Sequence, residues 1–170
     1  PIEQEGTYPL PEAQTDRFML KLNISYPSKE EELAILRRMA RNTVEIETQP
    51  VISPDVIRNL RGLVDQVYMD PSVEEYIVDI IDSTRHSNGY GLELGHYIQY
   101  GASPRATIYL TLASKARAML DGRAYATPSD VKAIAPDVLR HRIITSYEAE
   151  AEGVSSEHLI DQILDTIEVP

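Results

Sequence analysis

The chain has no cysteine, which excludes disulfides, thiolate nucleophiles and Cys-based zinc sites. It is also short of cationic charge. Its 16 Lys+Arg stand against 27 Asp+Glu, a formal net charge of −11. That balance disfavours a duplex-DNA binder, because phosphate contacts need clustered positive charge. No apolar run approaches the roughly 18 residues of a membrane span. No signal peptide is visible, since the N-terminus is rich in Pro and acid. By elimination a soluble, cytoplasmic protein is expected, with no nucleic acid partner and no membrane insertion. His86, His96, His141 and His158 are not spaced three or four apart, so no metal site is expected. There is no GxSxG, hence no nucleophile elbow. Gly89, Gly91 and Gly95 form GxGxxxG, not GxGxxG, and read as a flexible loop.

What is present is enough apolar content for a core: 42% of 170 residues. The length suits one ordinary domain, or a small domain plus a piece of another. The chain opens at Pro1 and its first methionine is Met19, so a processed product or an excised piece is expected. Residues 18–24 alternate in period two, with Leu20, Leu22 and Ile24 on one side, and read as a strand. A strand must pair its backbone groups. The short run Thr43-Val44-Glu45-Ile46-Glu47 is a poor partner. The strand is therefore expected to belong to a sheet whose other strands lie upstream.

From Ser28 onward the punctuation is helical. Ser28 with Glu31 is a capping box ahead of Leu33, Leu36 and Ala40. Ser53-Pro54 opens a second helix, with Ile57, Leu60, Val64 and Val67 along a stripe. Ser72 with Glu75 suggests a capping box before Ile77, Ile80 and Ile81. Ser103-Pro104 opens a helix expected to bury Ile108, Leu112, Ala116 and Met119 and to end at Asp121-Gly122. Thr127-Pro128 starts another, with Asp130 three residues on and Val131, Ile134 and Ala135 inward; a break or kink is expected at Pro136. A last helix starts near Ser155 and carries Leu159, Ile160, Ile163, Leu164 and Ile167. The extended lead-ins at residues 51–53 and 125–127 resemble each other and could meet as a minimal two-stranded contact.

Two arginines stand out. Arg105 lies in the first turn of the helix opened by Ser103-Pro104. A cation there opposes the helix dipole by a few tenths to about 1 kcal/mol. Either an anion such as phosphate is expected nearby, or Arg105 pairs with one of the chain's many carboxylates. Arg17 precedes the expected strand. It either bridges locally to Asp16 or Glu12, or projects into a neighbouring subunit.

Several runs together resemble the MoxR family of AAA+ ATPases: the N-terminal Pro1 to Gln14, Asp16-Arg17-Phe18, the Gly101-Ala102-Ser103-Pro104-Arg105-Ala106 segment and Val138-Leu139-Arg140-His141-Arg142. The Ile160 to Pro170 tail is similar to the family's ending, and the resemblance spans essentially the whole chain. Thr15 occupies a position usually apolar in the family, and the link from Asn88 to Tyr100 is longer than typical.

The resemblance implies a mainly α fold: a helical AAA+ lid, residues 28–170, preceded by a strand-containing remnant of the α/β core, residues 1–27, with Tyr26-Pro27-Ser28 as hinge. It implies that Arg17 is the arginine finger, reaching ATP in the adjacent subunit, and that Arg105 is the sensor 2 arginine, reading the terminal phosphate in its own subunit. It gives no catalytic role to Arg140 or Arg142, which read as packing or acid-pairing residues. The parent protein would be an ATPase with ATP and Mg²⁺, working in a homo-oligomeric ring and remodelling client proteins. The chain holds no GxxxxGK[ST], so by itself it is expected neither to bind ATP tightly nor to hydrolyse it. The competing expectation is a stand-alone acidic helical module that docks basic partners, with both arginines structural. A helix-turn-helix DNA binder is disfavoured by charge.

Overall fold

The computed structural model describes residues 10–43 and 47–170. Residues 1–9 of the N-terminal run, and 44–46 of the candidate partner strand, lie outside the described residues.

Five helices start where their caps predict. Ser28 accepts from the Glu31 N–H, and the Glu31 carboxylate accepts from the Ser28 N–H, opening α2 (Lys29–Met39) after the single turn α1 (Glu12–Thr15). Ser53 caps α3 (Pro54–Gln66). Ser103 caps α5 (Pro104–Leu120), Thr127 precedes α6 (Pro128–Leu139), and Ser155 caps α8 (Ser156–Thr166). α4 (Pro71–Ser83) departs from expectation: its cap is Asp70, which accepts from the Ser72 N–H. Asp at the cap with Pro at the first helical position outcompetes a start two residues later. The short α7 (Tyr147–Glu152) was not foreseen.

The core lies where α4, α5, α6 and α8 meet. Ile77, Ile80 and Ile81 of α4, Val131 and Val138 of α6, and Leu159, Ile160 and Ile163 of α8 are fully enclosed. Each such side chain contributes about 1.5–3 kcal/mol when buried. By contrast, α2 and α3 bury no residue.

On α5 the buried positions are Ala106, Leu110, Ala113, Ser114 and Ala118, while Ile108 is 57% exposed and Leu112 also faces outward. The expected stripe is thus displaced. Small residues at four of these five positions let α5 lie close against its neighbours, with Leu110 the one large side chain enclosed. α6 also differs from expectation, continuing through Pro136 to Leu139 without a break. Burial of Val131, Ala135, Val138 and Leu139 along one face outweighs the lost hydrogen bond and ring clash of about 3 kcal/mol.

The link after α4 is ordered rather than a flexible loop. It makes a 3₁₀ turn at Ser87–Tyr90 and buries Leu92 and Leu94. The Tyr90 hydroxyl donates to Asp79 at 3.1 Å, and it lies 3.3 Å from Asp82. The link then forms β1 (Ile98–Tyr100), antiparallel to β2 (Ile144–Thr145). The lead-in to α6 does not meet residues 51–53; Tyr125 bridges in parallel with Tyr68. Among the described residues, no helix is long and apolar enough to cross a membrane, and no group of His, Cys, Asp or Glu could hold a metal ion.

Residues 18–24 do not form the expected strand. They run along the outside of the helical domain, and their backbone groups find other partners. The Lys21 N–H donates to Asp137 O at 2.9 Å. The carbonyls of Phe18, Met19 and Lys21 accept from side chains at the end of α6. Without a neighbouring strand, those side chains satisfy the extended segment.

Candidate functional site, an anion position at the start of α5

The site is built where the chain passes from α4 to α5. A Cβ on Gly101 would stand 2.4 Å from the Thr84 carbonyl oxygen, so only glycine lets the backbone cross the end of α4 this closely. Ala102 is buried, and its N–H donates to the Thr84 hydroxyl at 2.9 Å. Those two contacts fix the direction in which Ser103 caps α5. Pro104 then supplies the preset φ of the first helical residue, and Arg105 follows in the first turn.

An anion does sit at this helix start, and it is Asp16. Arg105 Nη1 is 2.7 Å from Asp16 Oδ2. Ser103 Oγ lies 3.0 Å from both carboxylate oxygens. Arg142 Nε is 3.1 Å from Oδ1. Burial alone would push the Asp16 carboxyl up. Hydrogen bonds from Arg105 and Ser103, and the Arg142 charge, outweigh burial and hold it below the ordinary aspartate value. The structure therefore realises the carboxylate-pairing alternative for Arg105, at the place where dipole reasoning requires an anion.

Arg142 is the hub of the site. Its side chain is 1% exposed. Its guanidinium donates to the Asp16 and Phe18 carbonyls at 2.9 and 2.5 Å, to Met19 O at 3.3 Å, and to Val138 O. Its carbon sits 5.1 Å from the centre of the Tyr109 ring, a cation–π distance. Burial pulls the Arg142 pKa down, opposed by Asp16. The neighbouring His141 approaches Phe18 O with Nε2 at 3.0 Å. A carbonyl can only accept, so Nε2 carries the proton. Burial lowers the His141 pKa, against the Phe18 hydrogen bond, with Arg142 adding to the depression. Arg140 Nη1 donates to Lys21 O and Asp137 at 2.5 Å each, and its Nε lies 3.2 Å from Glu157. The Arg140-His141-Arg142 run is thus a clasp on residues 16–21.

Arg17 lies next to Asp16 but shares none of these contacts. The local bridge to Asp16 or Glu12 does not form. Its carbonyl accepts from the Tyr109 hydroxyl at 3.2 Å, while its side chain is exposed and makes no ion pair among the described residues. Sequence reasoning found Arg17 and Arg105 but missed Asp16, Ser103 and Tyr109 as site residues. It assigned Arg140 and Arg142 only packing or acid pairing, which the clasp makes specific. The available signal was three basic-type side chains in a row at the end of a buried helix.

A protein-family model described as the AAA lid domain matches residues 95–163. That stretch includes Arg105 and the clasp, and it leaves out Asp16 and Arg17. Chaperone MoxR1 of Mycobacterium tuberculosis is 37% identical over the whole chain, which covers 45% of that protein. Protein MoxR of Paracoccus denitrificans is 34% identical over 99% of the chain, covering 53% of that protein. Over essentially its whole length the chain is thus similar to proteins named MoxR, and its helical part matches the AAA lid domain. A crystal structure of a candidate ATPase from Cytophaga hutchinsonii is 44% identical, superposes over 100% of the chain with a TM-score of 0.93, and is covered to 52% of its own length. The chain therefore spans about half the length of the MoxR-family relatives it matches. Its fold is a helical AAA+ lid preceded by a short segment of the AAA+ core.

Proposed function

We propose that this chain supplies the phosphate-reading arginines of a MoxR-type ATPase whose nucleotide cradle lies in other polypeptide. Arg105 acts as sensor 2 toward the terminal phosphate in its own subunit. Arg17 acts as the arginine finger toward the adjacent subunit. The observation that carries this reading is the anion position at the start of α5, where Arg105 already holds a carboxylate. Each residue fits its role toward a terminal phosphate: Arg105 is a half-exposed guanidinium at a helix N-terminus, and Arg17 is an exposed guanidinium able to face another subunit. They do not fit a whole nucleotide, since no phosphate loop is present.

In the intact protein ATP would be held mainly upstream, with Mg²⁺ supplying charge neutralisation at the phosphates. Arg105 would sense whether a terminal phosphate is present, and the lid that carries it would follow. Arg17 would neutralise charge developing in the transition state, worth roughly a thousand- to hundred-thousand-fold in rate. The assembly would be a cytoplasmic ring of like subunits that remodels client proteins, in keeping with the chaperone name of the mycobacterial relative. The lid begins at residue 28 in this reading. In the full-length protein, Arg17→Ala and Arg105→Ala should each depress steady-state ATP turnover, Arg17→Ala by at least a thousand-fold. Near wild-type turnover in both variants contradicts the assignment.

A further inference from the structure

Three donors hold the Asp16 carboxylate, and they differ sharply in freedom. Arg142 is enclosed, its side chain 1% exposed, and four backbone carbonyls fix it besides. Ser103 is locked as the cap of α5. Arg105 is 46% exposed, and its other close partner here is only the cap through its backbone N–H. Of the three, Arg105 can leave without unmaking the fold.

We propose that Asp16 is the resting counter-ion of Arg105, which a terminal phosphate must displace, and that Asp16 thereby sets the threshold of phosphate sensing. This rests on the reading of Arg105 as a phosphate sensor. Both anions compete for one guanidinium at one helix start, where dipole and charge favour the more highly charged group. When Arg105 departs, Asp16 stays on Arg142 and Ser103, so residues 16–18 remain docked. The residue that competes for Arg105 is bonded directly to Arg17. Nucleotide sensing within a subunit and the finger offered to its neighbour therefore share one short tract. Asp16 is a positioning residue: it acts on phosphate through Arg105.

The test is equilibrium binding of a non-hydrolysable ATP analogue and of ADP, each with Mg²⁺, to the full-length protein. Asp16→Asn removes the charge and keeps the shape, and Arg142 retains its carbonyl acceptors. Losing a half-exposed competing ion pair should tighten analogue binding about two- to five-fold and leave ADP binding unchanged. The gain should vanish when Arg105→Ala is added. Asp16→Ser, which also removes the charge, should give the same gain, which guards against a folding artefact of one variant. Unchanged or weaker analogue binding in both Asp16 variants overturns the proposal, as does a gain shared equally by ADP or one that survives the loss of Arg105. Arg105→Ala alone separates the two readings. If it weakens analogue binding while the Asp16 variants change nothing, the sensor survives and the competitor falls. If it binds the analogue like wild type, both fall.

Discussion

Arg142 and Asp16, separated by 126 positions in sequence, form an ion pair of 3.1 Å at the junction of the N-terminal segment and the helical domain. The pair is the anchor of the whole clasp. Arg142 supplies the enclosed charge, Asp16 the anion that it holds, and Arg105 the half-exposed partner.

Removing Arg142 should be among the most damaging single changes to this chain. Arg142→Ala leaves Asp16 without its fixed counter-charge and strips hydrogen bonds from four carbonyls. The expected cost is about 3–5 kcal/mol, read as a lower urea midpoint. Protease cleavage within residues 10–28 should rise in parallel. Arg142→Lys should rescue little, because a single ammonium cannot reproduce the planar fork.

Gly101→Ala should destabilise through backbone contact alone. The added methyl would need to move the end of α4 or the start of α5, since the obstacle is the Thr84 carbonyl and not a flexible side chain. A loss of about 1–3 kcal/mol is expected, with a melting temperature several degrees lower. Because Ser103 and Arg105 follow directly, the Arg105–Asp16 contact should loosen as well.

The clasp should weaken under mild acid. The His141 pKa is lowered from 6.5 in the folded chain, so the unfolded chain takes up a proton first. Stability from this group is complete above about pH 6.5 and is lost as pH falls toward the depressed value. Chemical unfolding from pH 7.5 to 5 should show that slope. His141→Gln, which can still donate to Phe18 O, should flatten it.

A second acid window lies lower. Arg123 donates to both Asp130 oxygens, at 2.7 and 2.5 Å, and the Thr127 N–H and hydroxyl each donate at 2.8 Å. The hydrogen bonds from Arg123 chiefly, against burial and with help from Thr127, hold the Asp130 carboxyl down at about 2. Its contribution is complete above about pH 4 and is lost as pH falls through 3.8 toward 2. Asp130→Asn should cost about 2 kcal/mol near neutral pH and reduce the steepness of acid unfolding in that range.

How much of this was legible depended on distance along the chain. The caps at Ser28, Ser53, Ser103, Thr127 and Ser155 are local chemistry, and each helix starts where its cap predicts. The cap of α4 was misplaced because Ser72 and Asp70 both offer a capping oxygen, and only Pro71 decides between them. The inward face of α5 was misread because alanine burial there reflects the closeness of neighbouring helices, which no periodicity records. Residues 18–24 have strand-like alternation, yet their hydrogen-bond partners are side chains and one backbone carbonyl more than 100 positions away. Arg105 was legible from its unfavourable place in a first turn. Asp16 was not, because an aspartate beside an arginine looks like a local pair.

Subunit mixing tests the division of labour between Arg17 and Arg105 most directly. On the proposed reading, full-length protein carrying Arg17→Ala keeps its nucleotide site but offers no finger. A partner whose own nucleotide site is disabled upstream would offer a finger but have no working site. Mixed, they should regain ATP turnover, since a finger acts between subunits. Arg105→Ala mixed with the same partner should stay inactive, because each lesion disables the site of the subunit that carries it. Recovery in the first mixture alone is the predicted result; no recovery in the first, or equal recovery in both, contradicts the account.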